Sequence, residues 1–158
     1  MLDFDAPIEP GKAAAGVALG DRMERLGEVG DSRRRGLHGL YEFTVVGPVC
    51  VWAKGGVIDQ IGVRGGYTGR IEGTAVGIGA TIQQVAEEIG PVVEDDEDNL
   101  IVADLLGLCF ETERWRGVSG RETVGENLDA RVTEIYVFQV DGLDQPTNPP
   151  HGPPFACR

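Results

Sequence analysis

Histidines, cations and aromatic residues are scarce in this chain, and long apolar runs are missing. The two histidines, His38 and His151, have no Cys, Asp or Glu at a metal-ligand or triad spacing, so no metal site and no catalytic constellation is legible. Lys and Arg number 14 against 26 Asp and Glu, a formal net charge of −12. Phosphate binding needs cationic groups, so this balance argues against nucleic acid or an anionic membrane surface as partner. The one basic cluster, Arg33 to Arg35, is too small to reverse that. No apolar stretch approaches the length of a membrane span. The N-terminal MLDFDAPIEPGK lacks the basic and apolar regions of a secretory signal, so a cytoplasmic location is expected. Cys50, Cys109 and Cys157 are an odd set without ligand spacing and read as free thiols of a reducing compartment.

A chain of 158 residues can bury about two-thirds of its unfolded surface without disulfides. With 41% hydrophobic and 25% charged residues it has the make-up of a globular domain, and residues 1–158 are expected to form one. The glycine-rich segment GVRGGYTGRIEGTAVGIG, residues 62–79, lacks both the Gly-Lys-Ser/Thr ending and the βαβ setting of a phosphate loop, and reads as a linker. No cofactor is expected.

What is present is a self-similarity. GVALGDRMERLGEVG, residues 16–30, matches VGIGATIQQVAEEIG, residues 76–90: Gly20 pairs with Gly79 at an offset of 59, one inserted residue then pairs Gly30 with Gly90, and the offset of 59 returns where Cys50 pairs with Cys109. VIDQIGV at 57–63 then matches RVTEIYV at 131–137 at an offset of 74. The difference falls in a polar, glycine-rich loop at 116–130. The pattern predicts an α+β fold of two tandem helix-plus-antiparallel-meander repeats, about residues 16–66 and 75–138, with both helices packed on one face of a curved antiparallel sheet. Thr81 with Gln84 forms a capping-box pattern for the second helix, and Asp21 with Glu24 is given the same role in the first. The Pro-rich segment 141–158 is expected to be an extended tail.

Period-two alternation sorts the expected strands into faces. Val49, Val51, Leu108, Phe110, Ile61, Val63, Ile135 and Val137 form the inward set. The outward set places Trp52, Trp115 and Tyr136 among Glu111, Glu113 and Glu134. A sheet face of this kind suits a basic partner, with aromatic anchors and carboxylates that steer and pair with Lys or Arg. The competing reading is structural, with both tryptophans plugging gaps at the sheet edge or under the long loop. The run Glu94, Asp95, Asp96, Glu97 and Asp98 is a solvated turn or an electrostatic lure for the same partner. It lacks the alternation and the glycine of an EF-hand.

The paired glycine-bounded turns, each leading into a meander, resemble the tandem units of the beta-lactamase inhibitor protein type and small acidic bacterial immunity proteins, over about residues 16–138. The absence of a secretion signal and of disulfides matches the immunity branch. The resemblance implies a non-enzymatic, cytoplasmic inhibitor that binds a basic protein toxin domain and occludes its active site. The alternative is a small-molecule-binding domain formed by the curved sheet and the 116–130 loop.

Overall fold

Alternating apolar and polar residues between Tyr41 and Phe138 build strands, and short turns close them into antiparallel neighbours. The structure is a computed structural model that describes residues 2–27, 34–38, 41–95, 99–113 and 128–140. A small hairpin joins β1 (Ala13–Ala14) to β2 (Val17–Ala18) and leads to a 3-10 turn at Met23–Leu26. The main strands are β3 (Arg34–His38), β4 (Tyr41–Val46), β5 (Val49–Lys54), β6 (Val57–Arg64), β7 (Val92–Glu94), β8 (Leu100–Val102), β9 (Leu105–Thr112) and β10 (Val132–Phe138). Helix α1 (Ile82–Glu88) precedes β7. One sheet holds the eight main strands in the order β3-β4-β5-β6-β10-β9-β8-β7, every neighbouring pair antiparallel.

This architecture corrects the expectation of two helix-plus-meander repeats with two packed helices. The fold is mostly antiparallel sheet, and α1 is the only α-helix among the described residues. Where the first helix was expected, the β1–β2 hairpin and a four-residue 3-10 turn stand instead. The physical reason is local. Gly16 and Gly20 adopt φ of 76° and 90°, which reverses the chain rather than coiling it, and Gly27 at φ 64° ends the turn. Its cap position is Arg22, without a side-chain cap, because the Asp21 carboxylate accepts from Ala18 N–H and Arg25 instead. In α1, by contrast, Thr81 Oγ1 accepts from Gln84 N–H at 3.1 Å, which starts the helix as the capping pattern requires.

Both segments nevertheless dock on the sheet through corresponding bonds. Gly20 N–H donates to Ile58 O and Met23 N–H to Gly56 O, while Gly79 N–H donates to Val132 O and Ile82 N–H to Ala130 O. Three strand assignments also differ from expectation. NLIVADLLG, one strand by its apolar pattern, is split by a turn at Ala103 and Asp104 into β8 and the start of β9, and the arginine cluster, expected in a loop, enters the sheet from Arg34 as β3. β7 adds an edge strand that ends on Glu94, the first residue of the acidic run.

The inward set is realised. Val49, Val51, Ile61, Val63, Leu108, Phe110, Ile135 and Val137 are buried in one core beneath residues from the N-terminal segment, the 65–80 connector and α1. The connector is not a slack linker, since Tyr67, Ile71 and Val76 are buried in that core. The Tyr67 hydroxyl donates to Ala6 O at 2.6 Å and accepts from Ala15 N–H at 2.8 Å, tying the connector to the N-terminal segment. Each such buried apolar side chain contributes about 1.5–3 kcal/mol. Among the described residues no helix is long and apolar enough to cross a membrane.

Candidate functional site

The second face of the sheet carries a separate cluster. Val45, Cys50, Trp52, Cys109 and Tyr136 are buried there, with Tyr41, Phe43, Ile101 and Phe138 packed against them. This corrects the expected open face: Trp52 is 2% exposed and Tyr136 0%, so neither side chain is displayed to a partner. Register explains the grouping. Val45 opposes Cys50, Cys50 opposes Gly62, Gly62 opposes Tyr136 and Tyr136 opposes Cys109, one row across five strands. Cys50 and Cys109 are therefore three strand spacings apart, about 14 Å. That is too far for a disulfide, and both are free and buried. Burial pushes the Cys109 thiol well up, and the charges of Glu111, Asp95 and Glu134 push in the same direction. The thiol is thereby held protonated and unreactive.

At one end of this face the carboxylates gather. Glu134 opposes Arg64 on β6 and Glu111 on β9, and the Tyr136 hydroxyl donates to the Glu134 carboxylate. Asp95 lies close enough to act on Cys109, and its Oδ1 accepts from Asn99 N–H at 2.9 Å. Asp95, Glu111 and Glu134 are half-buried and belong together; Glu94, also half-buried, opposes Leu100 on the edge strand. Glu113 is exposed at the end of β9, where its Oε1 accepts from Arg131 N–H. Trp52 stands apart from this group, among the aromatics at the other end. Asp96, Glu97, Asp98, Trp115, the 116–127 part of the long loop and the 141–158 tail lie outside the described residues.

The other end was not anticipated from the sequence. A register shift between Trp52 and Ala53 leaves Asp59 as an extra residue in β6, because Ile58 opposes Ala53 while Gln60 opposes Trp52. The Asp59 carboxyl meets Tyr41 and Lys54, which oppose each other across β4 and β5. It is pushed up to about 6, by burial above all, against the lowering effects of the Lys54 charge, a backbone hydrogen bond and the Tyr41 hydrogen bond. Tyr41 is raised in turn, first by burial and then by the Asp59 charge. Beside them the rings of Phe43 and Trp52 lie 4.9 Å apart, tilted by 43°, and Phe138 opposes Gln60. Gln60 is 4% exposed, yet its Nε2 has no hydrogen-bond partner, and neither has Asp59 Oδ1. An unmade bond on a buried polar group costs roughly 1–3 kcal/mol. The sequence did hold a signal for the bulge: Ile58 and Ile61 are three apart and both inward, out of step with period two.

Among the described residues no group of three or more His, Cys, Asp or Glu could hold a metal ion. No family model matches the chain, and a search of curated proteins gives no match. Among solved structures the chain is similar to the uncharacterized protein yfeY from Escherichia coli, with a TM-score of 0.58 and 14% identity, over 85% of this chain and 100% of that one. That likeness shows the fold alone.

Proposed function

We propose that this protein is a non-enzymatic binding protein that neutralises a basic protein toxin domain by covering its active site, in the manner of an immunity protein. The observation that supports it is the gathering of Asp95, Glu111 and Glu134 at one end of the sheet, in a chain of net charge −12. Carboxylates held side by side raise the local negative potential, and such a surface speeds the encounter with a basic partner. Glu113 and Glu94 extend the negative surface along β9 and β7. The Asp96 to Asp98 run and Trp115 complete the proposed contact set. Tyr136, being buried, shapes this end of the face from beneath, Trp52 lies buried at the other end, and the first encounter is left to charge. A cytoplasmic site of action accords with this reading.

The test is capture of native-cell proteins on the full chain at low and high salt, followed by binding kinetics with the partner recovered. Glu111→Lys combined with Glu113→Lys should slow association about tenfold and flatten its salt dependence. Association at an unchanged rate would rule out this acidic face as the contact.

A further inference from the structure

We propose that the bulged end of the second face, around Asp59 and Gln60, binds a small planar molecule carrying a carbonyl and an N–H side by side, the edge of a lactam or imide ring. The inference does not rest on the protein-partner reading.

Consecutive strand residues ordinarily point to opposite faces. The bulge breaks that rule: Gln60 opposes Trp52 on the second face, and Asp59 meets Tyr41 and Lys54 on the same face. A hydrogen-bond acceptor and a donor therefore stand next to each other. Asp59 Oδ1 and Gln60 Nε2 are both without partners, and Gln60 is almost wholly buried. Buried polar groups in folded proteins are paired with few exceptions, so two adjacent exceptions mark a place prepared for a complement. That complement is an acceptor for the Gln60 amide beside a donor for the Asp59 carboxylate, which is the edge of a cyclic amide.

The walls fit the same class. The half-buried ring of Phe43, backed by the buried Trp52, and the half-buried Phe138, which flanks Gln60, suit a flat apolar body. The neighbouring charges disfavour the alternatives. Lys54 acts on Asp59 and opposes a cationic ligand, while the Asp59 carboxylate opposes a phosphate. Tyr41, Phe43, Asp59 and Phe138 are half-buried and Lys54 is exposed, so the approach is from the β5–β6 turn.

The experiment titrates the full ¹⁵N-labelled chain with uracil, whose ring carries this edge, and with 1,3-dimethyluracil, which keeps the ring and lacks both N–H groups. Uracil should shift the Gln60 side-chain NH₂ and Trp52 indole signals saturably, and the dimethyl compound should bind about tenfold or more weakly. Gln60→Leu should abolish the Trp52 response, and so should Gln60→Met, which keeps the length and removes the donor. The Gln60→Met chain serves if the leucine variant fails to fold by circular dichroism. No saturable shift with uracil, an equal response to dimethyluracil, or full binding by Gln60→Met would each overturn the proposal. Partner-protein binding measured on the same variants keeps this result separate from the inhibitor reading.

Discussion

The Tyr136 hydroxyl donates to the carboxylate of Glu134, two residues earlier on the same strand and the same face. Glu134 also faces Glu111 directly, a like-charge opposition that weakens a sheet unless neighbours compensate. The phenol is thus part of what holds the carboxylates together. Tyr136→Phe keeps the buried ring and removes the donor, and should lower stability by about 1–2 kcal/mol. Urea unfolding would register this as a lower midpoint at an unchanged slope.

Asp59 imposes a pH dependence whose sign follows from its desolvation. Its carboxyl titrates near 3.8 when exposed and at about 6 in the fold. The folded state therefore holds the proton more tightly, and stability declines as pH rises between those two values, then levels off. Asp59→Asn removes the group, so the variant should gain on the parent chain through that window and stand level with it below pH 3.8. Thermal midpoints across a pH series would show the divergence. Parallel curves would assign the acid response to other carboxylates.

The two docked segments should respond differently to loss of their polar residues. Thr81 caps α1 through Gln84 N–H, so Thr81→Ala should cost about 1 kcal/mol and Thr81→Ser should restore most of it. Glu24 caps nothing in the 3-10 turn and is exposed, so Glu24→Ala should stay within about 0.5 kcal/mol. Chemical denaturation of the three variants side by side separates a capped helix from an uncapped turn.

Two glycines distinguish strain from collision. Gly20 has φ 90° with open space around an added methyl group, so Gly20→Ala should cost about 1–2 kcal/mol through backbone strain alone. Gly107 has φ 94°, and an added methyl would sit 2.4 Å from Gly11 N. Gly107→Ala should then cost about 2–4 kcal/mol and loosen the N-terminal segment from β9. Faster amide exchange at Gly11, which donates to Gly107 O, would report that loosening.

The strands were legible in the sequence because alternation is a local pattern, and the apolar residues of β5, β6, β9 and β10 fell on the expected face. Helix α1 was legible from Thr81, whose hydroxyl caps it through Gln84 N–H, while the Gln84 side chain turns to Glu88 instead of closing the box. The first helix was not, because a match to IQQVAEE carries no information about the positive-φ glycines that break GVALGDRMERLG. Of the acidic residues expected on one surface, Asp95, Glu111 and Glu134 come together around Cys109 in the fold. The other half of the candidate site was not legible, because alternation places Gln60 on the second face but says nothing of the bulge that turns Asp59 to the same side.

The sequence by itself determined the acidic charge, the antiparallel strands and their inward apolar set, since each depends on composition or on near neighbours along the chain. Tertiary structure alone decided that the second face is also buried, with Trp52 and Tyr136 inside it. It alone joined Asp95, Glu111 and Glu134 from three different segments and turned Asp59 and Gln60 to one side. Those outcomes depend on strand order, register and one bulge, which arise from contacts between residues far apart in the chain and leave no periodic trace in any single segment.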